Sequence, residues 1–367
     1  MRAIQPMAAF RLWVPVAFAA AAHGAVPAAS FKTASYEAPP ALYTVAADFN
    51  GDGKADLAFA GTGHPEIYVR LGNGDGTFRP AVAFPVPTNP GFIAVGDLNG
   101  DGQQDLAVAD YDGNSISILL GNGDGTFQRA ISYGVGSYHP LFIAVGDLNG
   151  DGKPDLAVLT SFANTVAILL GNGDGTFQVP IAYAAGPYPS WVAVGDFNRD
   201  GKPDLAVANE DPEAPSVSIL LGDGDGAFQP PVAYAAGGYP VCVVAGDFNG
   251  DGNPDLAVSS YNGSGTAILL GNGDGTFRPG ATYAHVTGID LVVGDFNGDG
   301  KLDLAAGGLD LLLGNGDGTF QPQGVLAIRY AGAEFLTVAD FNGDGKLDLE
   351  MTSGGLGIIW VLTNITP

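Results

Sequence analysis

A nine-residue pattern, Asp-x-Asn-x-Asp-Gly-x-x-Asp, begins at Asp48, Asp97, Asp147, Asp196, Asp247, Asp295 and Asp340. Successive starts lie 45 to 51 residues apart. A period near 50 means that the chain repeats one supersecondary unit, which limits the fold more than any global property does.

The third unit shows the plan. Phe142–Gly146 is a short apolar run, read as strand A, which ends at the nine-residue loop Asp147–Asp155. Leu156–Leu159 reads as strand B, Thr165–Leu170 as strand C and Thr176–Tyr183 as strand D. B and C are joined by a variable connection, C and D by a Gly-Asn-Gly-Asp-Gly turn. Short runs rich in Val, Ile and Phe between Gly/Asn/Asp turns mark strands, and Asn-Gly and Asp-Gly are strong hairpin signals. No helical period follows residue 30.

Four short antiparallel strands repeated radially make a β-propeller blade. The seventh unit has strand A at 335–339, B at 349–352 and C at 357–362, but no strand D. Phe31–Tyr36 carries the Phe and Tyr of the strand D pattern. The expectation is therefore an all-β chain folded as a seven-bladed β-propeller of four-stranded antiparallel blades. The N-terminal strand completes the last blade, and closure removes exposed edges. Residues 30–367 form this one domain, although length alone would suggest two or three.

The loops have the chemistry of hard-cation sites. Positions 1, 3, 5 and 9 are Asp48, Asn50, Asp52 and Asp56 in the first copy and Asp97, Asn99, Asp101 and Asp105 in the second. They are Asp147, Asn149, Asp151 and Asp155 in the third, and Asp196, Asn198, Asp200 and Asp204 in the fourth. Asp247, Asn249, Asp251 and Asp255 follow, then Asp295, Asn297, Asp299 and Asp303, and finally Asp340, Asn342, Asp344 and Asp348. Ca²⁺ takes six to eight oxygens in flexible geometry. Four side chains plus a backbone carbonyl at position 7 approach that number, and Gly at position 6 permits the reversal. An EF-hand would need Glu at position 12, where Phe59, Val108, Val158, Val207, Val258, Ala306 and Met351 stand. The alternative, Asx turns without metal, leaves three carboxylates repelling one another within nine residues.

Gly-Asp-Leu-Asn-Gly-Asp-Gly-Lys-Pro-Asp-Leu-Ala-Val (146–158), with the partner turn Ser-Ile-Leu-Leu-Gly-Asn-Gly-Asp-Gly-Thr-Phe (117–127), resembles the VCBS/FG-GAP repeat. That repeat builds the propeller of integrin α subunits and occurs in many bacterial secreted proteins. The resemblance covers residues 31–367 and implies Ca²⁺ in the A–B loops on one face of the ring, up to seven ions, one per blade. Position 3 is Asn in every copy, where that family also uses Asp. Fewer charges per site imply dissociation constants of about 10⁻⁴–10⁻³ M. Arg199 replaces Gly at position 4 of the fourth loop; that site is expected to be retained, with the side chain in solvent.

The formal charge of −25 is mostly local. The loops hold 21 Asp, and the C–D turns add Asp75, Asp124, Asp174, Asp223, Asp225, Asp274 and Asp317, so 28 of 39 acidic residues lie in two turn motifs. The C–D motif has too few ligands for a cage and reads as a hairpin turn. No basic patch exists to neutralise phosphates, which argues against nucleic acid as a partner. The single cysteine, Cys242, in an apolar run, reads as a buried thiol.

Residues 1–29 stand apart. Arg2 and Arg11 precede an 11-residue apolar run, Leu12–Ala22, and mostly small residues through Ala29. This is the layout of a signal peptide cleaved between Ala22 and Ala29, with a helical cap as the alternative. The run is too short to span a bilayer, and no later run is long enough, so no integral membrane segment is expected. The reading is a secreted, extracellular or cell-envelope protein, taken as a monomer.

Eleven acidic residues lie outside both motifs: Glu37, Glu66, Asp110, Asp112, Glu210, Asp211, Glu213, Asp290, Asp310, Glu334 and Glu350. They are scattered and nominate no glycosidase pair. His64, His139 and His285 occupy unlike positions, and no nucleophile triad, zinc spacing or phosphate loop stands out. The chain therefore reads as a non-enzymatic interaction or adhesion module. A calcium-stabilised lectin is the alternative, and a secreted hydrolase or lyase ranks below both. The D–A and B–C connections vary most and should share the face opposite the cation loops, where a protein or glycan ligand would bind. They include Tyr138-His139-Pro140, Tyr188-Pro189, Tyr239-Pro240, Tyr111, Phe162 and Tyr261. Five residues before each loop stand Tyr43, Phe92, Phe142, Trp191, Cys242, Asp290 and Phe335. They read as inter-blade packing or, alternatively, as an aromatic collar touching a ligand.

Overall fold

The computed structural model describes residues 28–38, 41–61, 63–136, 139–261, 264–284, 286, 288–308, 310–325, 333–353 and 357–367. The leader expected over 1–29 falls almost wholly outside them, as do Tyr138 and His285.

Seven separate four-stranded antiparallel sheets form the blades. Blade 1 is Ala41–Ala47, Asp56–Gly61, Glu66–Arg70 and Val82–Pro85; blade 3 is Pro140–Gly146, Asp155–Thr160, Thr165–Leu169 and Ile181–Ala184. In each the order A-B-C-D runs from the inner strand outward. Blade 7 is Ala333–Ala339, Asp348–Ser353, Ile358–Asn364 and, as its outer strand, Phe31–Glu37. That strand pairs antiparallel from Phe31↔Asn364 to Glu37↔Ile358 and closes the ring, as expected. Among the described residues, helix is limited to the 3₁₀ turn Ser161–Ala163.

Strand B explains the apolar runs. Every residue of Asp155–Thr160 is buried, because each blade is covered by a neighbour on both faces. Leu57 and Phe59 pack with Phe341, Ile359 and Val361 of blade 7, while Ala58 joins the larger core cluster. Strand D starts later than the sequence suggests. In blade 3, Phe177 makes only a bridge to Gly171, and regular pairing resumes at Ile181. Pro180, between them, has no N–H to donate. Strand A of blades 2 to 5 opens on Pro90, Pro140, Pro189 and Pro240, each followed by a bulge.

Candidate functional site

In each A–B loop, backbone N–H groups converge on the side chains at positions 1, 3 and 5. In blade 3, Asp147 Oδ1 accepts from Gly150 and Asp151, and Oδ2 from Gly152, at 2.8–3.1 Å. Asn149 Oδ1 accepts from Asp151 (2.8 Å) and Asp151 Oδ1 from Lys153 (3.0 Å). These Asx-type bonds set the turn; Asp147 Oδ1 already accepts two, whereas Asp147 Oδ2, Asn149 Oδ1 and Asp151 Oδ1 each keep a second lone pair. Position 9 differs: Asp155 is fully buried, with Oδ2 accepting from Leu148 N–H (2.8 Å) and Oδ1 from Gly171 N–H (2.6 Å). One carboxylate thus ties the start of its loop to the end of strand C. The same pair of bonds recurs at Asp56, Asp105, Asp204, Asp255, Asp303 and Asp348.

Burial pushes the position-9 carboxyls up to about 6, and Asp303 to about 7; two N–H bonds oppose this, and the carboxylates at positions 1 and 5 raise them further. Like charges therefore bear on one another in every loop, as a bound cation would relieve. Among the described residues no three carboxylate, imidazole or thiol groups form a ready cage. The fourth donor here is an amide, and in four blades the position-5 carboxylate lies beside a position-7 lysine, as in Lys153–Asp151 at 3.2 Å. The donor set is wholly oxygen and fits a hard divalent ion.

The C–D turns are hairpin turns, and they also join blades, a role that the sequence reading missed. Asn172 N–H donates to Thr176 O, and Asp174 Oδ1 accepts from Thr176 N–H and Oγ1–H. The last turn glycine then donates to the position-2 carbonyl of the preceding blade: Gly125 to Phe49 O, Gly175 to Leu98 O, Gly275 to Phe197 O and Gly318 to Phe248 O, at 2.9–3.1 Å. The Phe after each turn meets the strand D aromatic of the preceding blade edge-on, as in Tyr133–Phe177 and Tyr183–Phe228, both at 5.6 Å. A Phe six residues ahead of a Tyr in successive units was the available signal. Arg199 stays exposed, as expected, and Nη1 donates to Asn253 Oδ1 in the next loop at 3.2 Å.

The seven residues that stand five places before the loops are all buried around the inner strands. Phe335, Tyr43, Phe92, Phe142 and Trp191 contact in sequence at centroid distances of 4.5–5.6 Å. Cys242 Sγ–H donates to Asp290 Oδ1 (3.8 Å), and Leu336 N–H to Oδ2 (2.8 Å). All seven are at most 3% exposed, so the packing reading holds and the ligand-contact alternative falls. Cys242 is buried, as expected.

The D–A and B–C connections meet one another. Glu210 N–H donates to Tyr188 O and Tyr261 N–H to Tyr239 O. His139 N–H donates to Asn114 Oδ1 and Tyr188 N–H to Asn164 Oδ1. The His139 ring lies between Tyr111 (4.8 Å) and Phe162 (5.4 Å). His139, Tyr188 and Tyr239 hold φ of 39–51° directly before proline, a conformation that side chains and a following proline both disfavour. Phe162, Tyr188 and Tyr261 are 56–71% exposed, too open for core residues. Asp112 and Glu213 are exposed, and Glu210, which burial pushes up to about 7, and Asp211 are half-buried. Every described lysine or arginine lies elsewhere. Six are in the cation loops, Lys32 and Arg278 sit on outer strands, Arg70 ends strand C of blade 1, and Arg79 and Arg129 lie between the C–D turn and strand D. Asp110 is buried beneath Ser115 and Ser117, each donating Oγ–H at 2.8 Å.

The FG-GAP-like repeat family matches residues 48–108, 97–158, 147–207, 196–258 and 247–306, which together span more than half of the chain. No curated protein matches the sequence. Among solved structures, the chain is similar to a lectin of Agrocybe aegerita that recognises non-reducing terminal N-acetylglucosamine, at 20% identity and a TM-score of 0.56, covering 89% of this chain and 86% of the lectin. It is also similar to virginiamycin B lyase of Staphylococcus aureus, at 13% identity and a TM-score of 0.57, covering 91% and 99%. At such identities these likenesses show the propeller fold alone. No helix among the described residues is long and apolar enough to cross a membrane.

Proposed function

The chain belongs to the FG-GAP-like repeat family, and on that footing we propose that it is a secreted, calcium-holding propeller that binds a protein partner without catalysis. The observation that carries this reading is the division of labour between the two faces. The invariant loops and turns are engaged in joining blades, whereas the variable connections expose Phe162, Tyr188 and Tyr261 beside carboxylates, with no described lysine or arginine among them. Rigid exposed aromatics are favoured interface anchors. A partner surface bearing lysine or arginine suits them, through carboxylate pairing and cation–π contact.

Calcium would be held by positions 1, 3, 5 and 9 of each loop. Its role is to neutralise carboxylates already bearing on one another, so that the loops and the turns they brace stay rigid. The apolar leader over residues 12–22 supports secretion, and the integrin-like repeat supports an adhesive role.

The test is retention of native envelope or medium proteins on the immobilised chain in calcium, with elution by salt. A Phe162→Ala/Tyr188→Ala/Tyr261→Ala variant should lose the partner at least about tenfold, as hot-spot aromatics do, with unchanged melting. Equal retention by both would refute the site. The second reading, a lectin, is favoured by the same exposed rings. Binding to a glycan array in calcium would support it, and silence on every sugar would remove it.

A further inference from the structure

One of the seven loops is covered. At position 3, Asn297 is buried, at 4% exposure, whereas Asn50, Asn99, Asn149, Asn198, Asn249 and Asn342 are half-buried. At position 5, the Asp299 side chain is 13% exposed, against 30–37% for Asp52, Asp151 and Asp200. Gly300 at position 6 is half-buried, and its six counterparts are exposed. Loop sequence cannot be the cause. Asp-Phe-Asn-Gly-Asp-Gly-Lys-Leu-Asp recurs unchanged at 340–348, where Asp344 and Gly345 stay exposed.

What differs is the neighbour. The other loops adjoin the Gly-Asp-Gly turn of the following blade. Blade 6 adjoins blade 7, whose strand C runs into residues 364–367 instead of a turn. Asn364 Nδ2 donates to Phe296 O at 2.8 Å, taking the part that a turn glycine N–H plays elsewhere. Asn364 Oδ1 accepts from Thr366 N–H and Oγ1–H. Thr366 is 3% exposed, and its Oγ1 accepts from Ser30 N–H at 3.0 Å. Ile365 N–H donates to Ser30 O at 2.7 Å. Lys346 Nζ from the blade 7 loop donates to Thr366 O. The segment is thus stitched both to the closing strand and to the two last loops.

We infer that residues 364–367 cap the blade 6 loop, so that a divalent cation held there exchanges with solvent more slowly than in the other six. The inference rests on the calcium reading above. Release from an open loop needs only water to reach the position-5 carboxylate. Release from the capped loop first needs the segment to lift, which breaks its bonds to Ser30. Cation binding at blade 6 and closure of the ring therefore stabilise one another.

The test mixes the calcium-loaded chain with a fluorescent chelator in a stopped-flow instrument. One calcium per molecule should leave about tenfold or more slower than the rest, the delay of a local opening step. That slow phase should merge with the fast one when Ile365–Pro367 are removed, and should quicken in Thr366→Ala, which keeps the segment and the fold. Calcium leaving in a single phase from the native chain, or a slow phase unchanged in both variants, overturns the cap alone. No bound calcium by equilibrium dialysis overturns the cap and the calcium reading together.

Discussion

Within a loop, the ninth residue carries more than a ligand position. Asp155 accepts one N–H from its own loop and one from the end of strand C, both buried. Asp155→Ala should destabilise the protein by roughly 1–3 kcal/mol for each orphaned N–H, measured by urea denaturation. Asp110 offers a cleaner titration, since it lies outside the loops. Burial pushes its carboxyl up to about 6, opposed by the Ser117 and Ser115 hydroxyls. The folded state therefore holds this proton more tightly than the unfolded chain does. Its contribution is full below the ordinary value of 3.8 and is lost as pH rises through 6. Asp110→Asn should flatten the fall in stability between the ordinary value of 3.8 and about 6, read as the difference between variant and native denaturation curves. Blade 4 already carries Asn209 at this position, with Nδ2 donating to Ser218 Oγ at 2.9 Å.

Between neighbouring blades, the C–D turn is the working contact. Gly175 has φ +79°, and a Cβ there would stand 2.8 Å from Leu120 Cδ2 of the preceding blade. Gly175→Ala should cost about 1–2 kcal/mol from the left-handed backbone alone, with a further loss from displacing Leu120, seen as a lower melting temperature. A melt unchanged within error would show that the turn does not brace the blades. The hairpin itself was legible from Asn-Gly-Asp-Gly. Its bond to the preceding blade was not, because the partner carbonyl, Leu98 O, lies 77 residues upstream of Gly175.

Around the ring, two interventions separate metal from closure. Melting in millimolar calcium should exceed that in chelator, since each site filled at about 10 times its dissociation constant adds about 1.4 kcal/mol and the sites act together. Equal melts would exclude structural calcium. Removing residues up to Glu37 leaves Ile358–Asn364 as an open edge and deletes the Tyr36–Phe78 contact. The truncated chain should melt lower and self-associate through that edge, observable by light scattering after gel filtration.

The period of the loops, the strands between them and the displaced strand at Phe31 are all readable along the chain, because turn chemistry and strand patterning act within a few residues. That was sufficient for seven blades and for the ring closed by the first strand. Three features depend on parts of the chain that meet only once the strands are assembled. The position five places before the loop is held by Cys242 and Asp290 in two blades, which a sequence reader can place there but cannot show to be bonded. Position 9 turns out to be a buried double acceptor, since its second donor lies 11 to 18 residues away on another strand. Loops 6 and 7 are identical in sequence and differ in exposure, because burial belongs to the neighbour a loop is given, and the split blade gives loop 6 a different one.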